Sequence, residues 1–286
     1  MDKKYEFEGI SQYRFPLCNE LFGVKLSLTM DNGKDYTVAF TDDDKVFWQA
    51  DNEEQHEDHY DCLKVEDELY FLNLEVSKAE SHTGLTLALD LREQLVTCVK
   101  AAMEGKTGNS ARFTKTEIIT GAIKNDDGTA TSRRHHYTAD LVGKAICWTY
   151  DPYFSIIHTY PTERYEKPIL VYYHDDRNEN IIKAMEDPET VLPWPDISAS
   201  PVDWLKIREG IYLLNIIEIS HPEMLEEPKR NSLTFVFDLK RMHNYGRAFG
   251  FTEGDHLPEN YVFTAFGKFV PMEELSEKDA LPNTID

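Results

Sequence analysis

The sequence predicts an all-β protein built from two tandem antiparallel β-barrels, with few short helices. Two observations carry this expectation. Short apolar blocks recur in the same order in both halves, and their apolar-polar alternation has the period of a strand. Helix-type periodicity is confined to two short stretches.

The repeat consists of three blocks. Leu21-Phe22-Gly23 followed by Leu28-Thr29-Met30-Asp31 matches Leu141-Val142-Gly143 followed by Trp148-Thr149-Tyr150-Asp151. Leu69-Tyr70-Phe71-Leu72-Asn73 matches Ile211-Tyr212-Leu213-Leu214-Asn215. Leu85 to Arg92 matches Leu233 to Lys240. The offsets are 120, 142 and 148, so the second copy carries insertions, the larger within 166–205.

Strands are expected at 36–40, after the turn signal Asp31-Asn32-Gly33, and from Val46. Further strands are expected at 69–76, 85–91, 146–150, 154–160, 169–173, 211–219, 233–239 and 245–251. Several short strands at this spacing suggest a meander that closes on itself. Asn178–Glu186 reads as two helical turns stopped by Asp187-Pro188, and Ser200–Trp204 as a short helical turn. The acidic stretch 51–61 reads as a solvated loop, and 104–112 and 125–128 as further loops. The expected domains are 1–127 and 139–270, joined by the polar linker 128–138 and followed by an acidic tail at 271–286.

Composition excludes some functions. The chain has 286 residues, 52 acidic and 30 basic, for a net charge of −22. Such a surface repels nucleic acid and anionic membranes, so neither is an expected partner. No run is long enough for a membrane-spanning helix and the first residues lack an apolar signal core. Cysteines 18, 62, 98 and 147 form no CxxC pair. A cytoplasmic location follows as the expectation.

Candidate chemistry concentrates in the second copy. In strands, Trp148 and Tyr150 share one face, as do Phe154, Ile156, His158 and Tyr160. Glu218 shares a face with Tyr212, Leu214 and Ile216; if buried, its pKa rises and it can act as a general acid or base. The alternative is a strand-end glutamate meeting water. His158 is either a core residue or faces a pocket with Tyr150, Tyr153, Tyr160 and Tyr165 around it. His56-Glu57-Asp58-His59 has His-x-x-His spacing but reads as a surface run, so no metal is assigned. His135-His136, beside Arg133 and Arg134, reads as an anion contact or a polar connector. No nucleotide, dinucleotide or hydrolase motif is present, so no cofactor is expected.

The pattern Leu141-Val142-Gly143-Lys144, Trp148-Thr149-Tyr150-Asp151 and Tyr153 to Tyr160 resembles the molybdenum cofactor biosynthesis protein F (MoaF) family, over roughly 15–270. That resemblance implies lipocalin-like (calycin) barrels and an association with molybdenum cofactor metabolism. A more distant similarity is to the phenolic acid decarboxylases, whose Tyr-Thr-Tyr-Asp strand is matched by Trp148 to Asp151 and whose catalytic glutamate is matched by Glu218. One tyrosine of that family is replaced here by Trp148, and the first copy has neither tyrosine.

Together these readings make Glu218, His158 and Tyr150 the candidate catalytic residues. Trp148, Tyr153, Tyr160, Tyr165, Tyr212, Arg164 and Arg247 are the candidate ligand contacts, with Arg241 a further candidate cation. The expected partner is a small organic ligand. One reading is a binding module or accessory factor. The second is a cofactor-independent lyase or isomerase acting on a phenolic or conjugated acid. A third is a scaffold of solid barrels. Related barrels often dimerise, so a homodimer and an intrachain imitation of one by the two copies both stay open.

Overall fold

A computed structural model describes residues 13–51, 53–77, 79, 82–104, 113–150, 154–173, 200–219, 230–251 and 258–275. The first unit is an up-and-down meander of eight strands: β1 (Lys25–Met30), β2 (Asp35–Phe40), β3 (Lys45–Ala50), β4 (His56–Glu66), β5 (Leu69–Glu75), β6 (Thr83–Asp90), β7 (Leu95–Glu104) and β8 (Phe113–Ile123). Each pairs antiparallel with the next, and β1 also pairs with β8, which closes the barrel. Closure leaves no free edge.

After the short β9 (His136–Tyr137) the second unit repeats the plan: β10 (Ala145–Thr149), β11 (Phe154–Thr159), β12 (Tyr165–Tyr173), β13 (Ser200–Arg208), β14 (Ile211–Ile219), β15 (Arg230–Asp238), β16 (His243–Phe251) and β17 (Pro258–Val270). β10 pairs with both β11 and β17, so this sheet curls in the same way. Its β12–β13 join rests on two residue pairs, Tyr165↔Pro201 and Glu166↔Ser200. Among the described residues, helix is limited to one 3₁₀ turn at Met272–Glu274.

The duplication extends to single hydrogen bonds. Gly23 donates its N–H to the Phe40 carbonyl, and Gly143 donates to that of Tyr160. Both glycines hold a positive φ that other residues rarely adopt. Left-handed turn residues recur at Glu68 and Gly210, and at Gln94 and Met242. The register slips between Lys64 and Glu66 in β4, and between Lys206 and Arg208 in β13. The Tyr70 hydroxyl donates to Glu20, which also binds Lys64; Tyr212 donates to Asp140, which also binds Lys206.

Each unit encloses an apolar interior. Leu21, Leu28, Phe40, Tyr60, Cys62 and Leu72 are part of the first; Leu141, Trp148, Tyr160, Trp204, Leu214 and Phe237 are part of the second. A third cluster joins the outer faces of the two units. Leu63, Val65, Leu69 and Phe71 meet Leu205, Ile207, Ile211 and Leu213, the corresponding residues of the repeat. Arg208 crosses this contact and holds Asp90 in a fork, with Nε at 2.8 Å and Nη2 at 2.7 Å from its carboxylate oxygens. The two copies therefore pack against each other through corresponding residues of the repeat.

Several sequence expectations change. The stretch 51–61 is not wholly a loop, because β4 begins at His56. Three-residue spacing in a strand sends side chains to opposite faces, so His56 and His59 diverge. His56 stacks on Trp48 and His59 meets Asp44. Ser200–Trp204 is strand, not helical turn: Pro201 sits at the sparse β12–β13 join, where a missing N–H is tolerated. The expected helix at 178–186 lies outside the described residues. The linker lies against the first barrel, with buried His135 bonding Thr97 at 2.8 Å, Arg133 bonding Glu93 and Arg134 bonding Asp31.

Candidate functional site

The two interiors differ in chemistry. Barrel positions correspond through the shared turns, so the second copy can be compared with the first residue by residue. Leu28 corresponds to Trp148, Phe40 to Tyr160 and Cys62 to Trp204. Val38 and Val46, both apolar in the first copy, correspond to His158 and Glu166.

His158 (β11) and Glu166 (β12) form a buried pair, with Nδ1 2.7 Å from Oε2. Their side chains are 8% and 4% exposed, so bulk water screens them little. Glu166 stands beside Lys167, the partner of Thr159, and pairs with Ser200 at the β12–β13 join. Tyr160 is fully buried, and burial, reinforced by the Glu166 charge, pushes its hydroxyl well above the ordinary tyrosine range. Its ring meets Trp204 edge-on at 5.1 Å, and Trp148 packs against Phe237. The Tyr160 hydroxyl and the indole nitrogens of Trp148 and Trp204 make no hydrogen bond among the described residues. An apolar pair here would keep the barrel intact, as Val38 and Val46 do. A buried polar pair is a weaker source of stability than apolar packing of similar volume.

A cleft of about 740 Å³ lies at the β12–β13 join. Its lining includes Arg164, Tyr165, Asp203 and Trp204, with Tyr137 of β9. Arg164 is exposed, and its charge lowers the Asp203 pKa, which burial raises more strongly. Trp204 links the two regions, lining the cleft while its ring touches Tyr160.

The structure brings only some of the sequence candidates together. Trp148, Tyr150, Tyr160 and Tyr212 belong to one interior cluster, and His158 lies beside it, 6.5 Å from the Phe235 ring. Tyr165 and Arg164 line the cleft. The Tyr212 hydroxyl is occupied by Asp140, and burial with that bond pushes it up to about 12; the same lock in the first copy marks it as structural. Glu218 lies on β14 with its backbone opposite Asn231, but its side chain, and all of Tyr153, lie outside the described residues.

Arg247 does not reach the second interior. β16 turns it to the outer face, where Nε donates to Thr86 of the first barrel at 2.7 Å. Arg241 likewise points across, to the Val65 carbonyl. Glu166 escaped the sequence reading, although the 120-residue offset aligns it with Val46 and it lies only eight residues beyond His158 on one hairpin.

Residues 7–105 match the MoaF N-terminal domain. The MoaF-like stretch runs through the first barrel into β7. The MoaF resemblance read from the sequence is therefore shown over those residues, and the second unit repeats the strand order in a sheet that curls as a partial barrel. No curated protein matches the chain. Among the described residues no group of three or more His, Cys, Asp or Glu side chains is placed to hold a metal ion, and no helix is long and apolar enough to cross a membrane.

Proposed function

We propose that this MoaF-like chain is a small-molecule-binding protein whose second barrel takes an anionic, conjugated organic ligand at the β12–β13 join. The first barrel serves as its structural partner. The observation that carries this reading is the His158–Glu166 pair, which stands where the first copy has two valines. Beside it the cleft offers Arg164 as a counter-charge and Tyr137, Tyr165 and Trp204 as flat apolar surfaces. On this reading the chain is a cytoplasmic accessory factor in molybdenum cofactor metabolism.

The buried pair also favours a second reading, a cofactor-independent lyase or isomerase acting on a phenolic or conjugated acid. A glutamate side chain hydrogen-bonded to a histidine ring, with a phenol alongside, has the parts for proton transfer.

Native mass spectrometry before and after denaturation tests the binding reading. A co-purifying molecule that Arg164→Ala releases supports it. Absence of a bound species, together with no binding in a screen of pterins and phenolic acids, counts against it. Turnover in that screen, lost in Glu166→Gln with binding kept, moves the assignment to the enzyme.

A further inference from the structure

We infer that Cys18 and Cys62 are a redox-modification site that closes reversibly into a disulfide under a hydroperoxide. The two sulfur atoms lie 3.0 Å apart, nearer than unbonded sulfur atoms normally approach, and the Cys18 N–H donates to the Cys62 carbonyl at 2.9 Å. The backbones are hydrogen-bonded and the sulfur atoms face each other, so closing the bond asks for a shift of about 1 Å at sulfur.

The two thiols have unequal environments. Cys18 is partly exposed and Cys62 is buried. The Cys62 hydrogen bond pulls the Cys18 thiol down to about 7 against the opposing effect of burial, and pushes that of Cys62 upward. Glu20, Lys64, Asp61, Tyr60 and Tyr70 face the pair; of the charged groups, Lys64 favours the Cys18 thiolate and Glu20 opposes it. An accessible thiolate beside a resolving thiol is the arrangement of a redox-sensing cysteine pair. The other two cysteines lack it: burial pushes Cys98 up to about 12 and also raises Cys147.

The Cys18 thiolate attacks the hydroperoxide, the O–O bond breaks, and Cys18 becomes a sulfenic acid as the alkoxide or hydroxide leaves. Cys62 then attacks the sulfenic sulfur. The S–S bond forms and the S–O bond breaks, with the Cys62 proton leaving in water. A dithiol reductant reverses the oxidation by thiol exchange.

The bond would fasten a strap that spans both units. Tyr13 donates its N–H to the Tyr150 carbonyl, and Phe15 packs on His243, Tyr245 and Phe266 of the second unit. Cys18, a few residues on, meets the first barrel.

The test treats the 286-residue chain with hydrogen peroxide and follows intact mass, peptide mapping and thermal melting. The expected result is loss of two hydrogens, a Cys18–Cys62 peptide pair, untouched Cys98 and Cys147, and a Tm raised by about 5 °C. Dithiothreitol should reverse all of these. In Cys62→Ser, Cys18 should stop at a dimedone-reactive sulfenic acid with no gain in Tm. If wild-type Cys18 is instead over-oxidised while Cys62 stays free, or if no thiol is lost, the inference is overturned.

Discussion

Gly267 of β17 stands directly opposite Trp148 of β10, in the strand pair that closes the second unit. A β-carbon at 267 would run into the indole ring. The first barrel closes in the same manner, with Gly121 of β8 opposite Met30 of β1 and a β-carbon there meeting the Met30 sulfur. Each closing seam therefore leaves out a side chain where the facing strand presents a bulky one. Trp148 is fully buried and cannot swing out without leaving its contact with Phe237. Gly267→Ala should lower stability by about 1–3 kcal/mol, the usual cost of forcing extra volume into a packed site. Urea unfolding followed by tryptophan fluorescence measures it. An unchanged midpoint would mean that the seam is looser than the backbone register implies.

Arg247 leads to the opposite expectation. On the outer faces, Asn73, Thr86 and Val99 of the first copy line up with Asn215, Thr234 and Arg247 of the second. One copy thus has an apolar side chain where the other has a cation. Arg247 is fully buried, and its Nη1 and Nη2 have no hydrogen-bond partner among the described residues. Burial pushes it down to about 9, slightly opposed by Cys98. Replacing a poorly compensated buried charge by an apolar group of similar length is often stabilising. Arg247→Met should therefore gain about 1–3 kcal/mol near neutral pH.

The sign of its pH dependence follows. Between about 9 and the ordinary arginine range the unfolded chain holds the proton that the folded chain releases, so wild-type stability rises with pH there relative to the variant. The advantage of Arg247→Met should be complete below pH 9 and shrink above it. Paired urea titrations at pH 7 and pH 10 read this; a variant less stable than wild type at pH 7 would refute it.

Much of the fold was legible because the repeat preserves its alternation. Leu69 to Asn73 and Ile211 to Asn215 occupy the same place in β5 and β14, as the matching blocks imply. Alternation gives less information where both faces of a strand are covered. In β16, Ala248 faces the second interior while Tyr245 and Phe249 face the first barrel, so the pattern alone could not say which way Arg247 points. The start of β4 was hidden for a different reason: His56 to Asp61 alternates between buried and more exposed positions, but its exposed members make the run look like a loop. Glu166 was obscured by its position at the edge of the inserted region. Its meaning depends on His158, a contact across a hairpin and not along one strand.

The connector between the copies holds a buried histidine. His135 is buried with Nδ1 on Thr97, and burial pushes it down to about 4, with Asp90 opposing and Arg208 reinforcing the shift. In the unfolded chain the ring takes up a proton near the ordinary value of 6.5. As pH falls from about 6.5 towards 4, the unfolded state therefore binds the proton first and stability drops. This histidine alone should account for about 2 kcal/mol of that loss. His135→Gln gives up some packing at pH 7 but removes the titration, so its urea midpoint should change less between pH 7 and pH 4.5 than that of wild type. Parallel curves for the two proteins would mean that the imidazole takes up its proton without leaving its place, and that the connector is not seated against the first barrel as tightly as its burial requires.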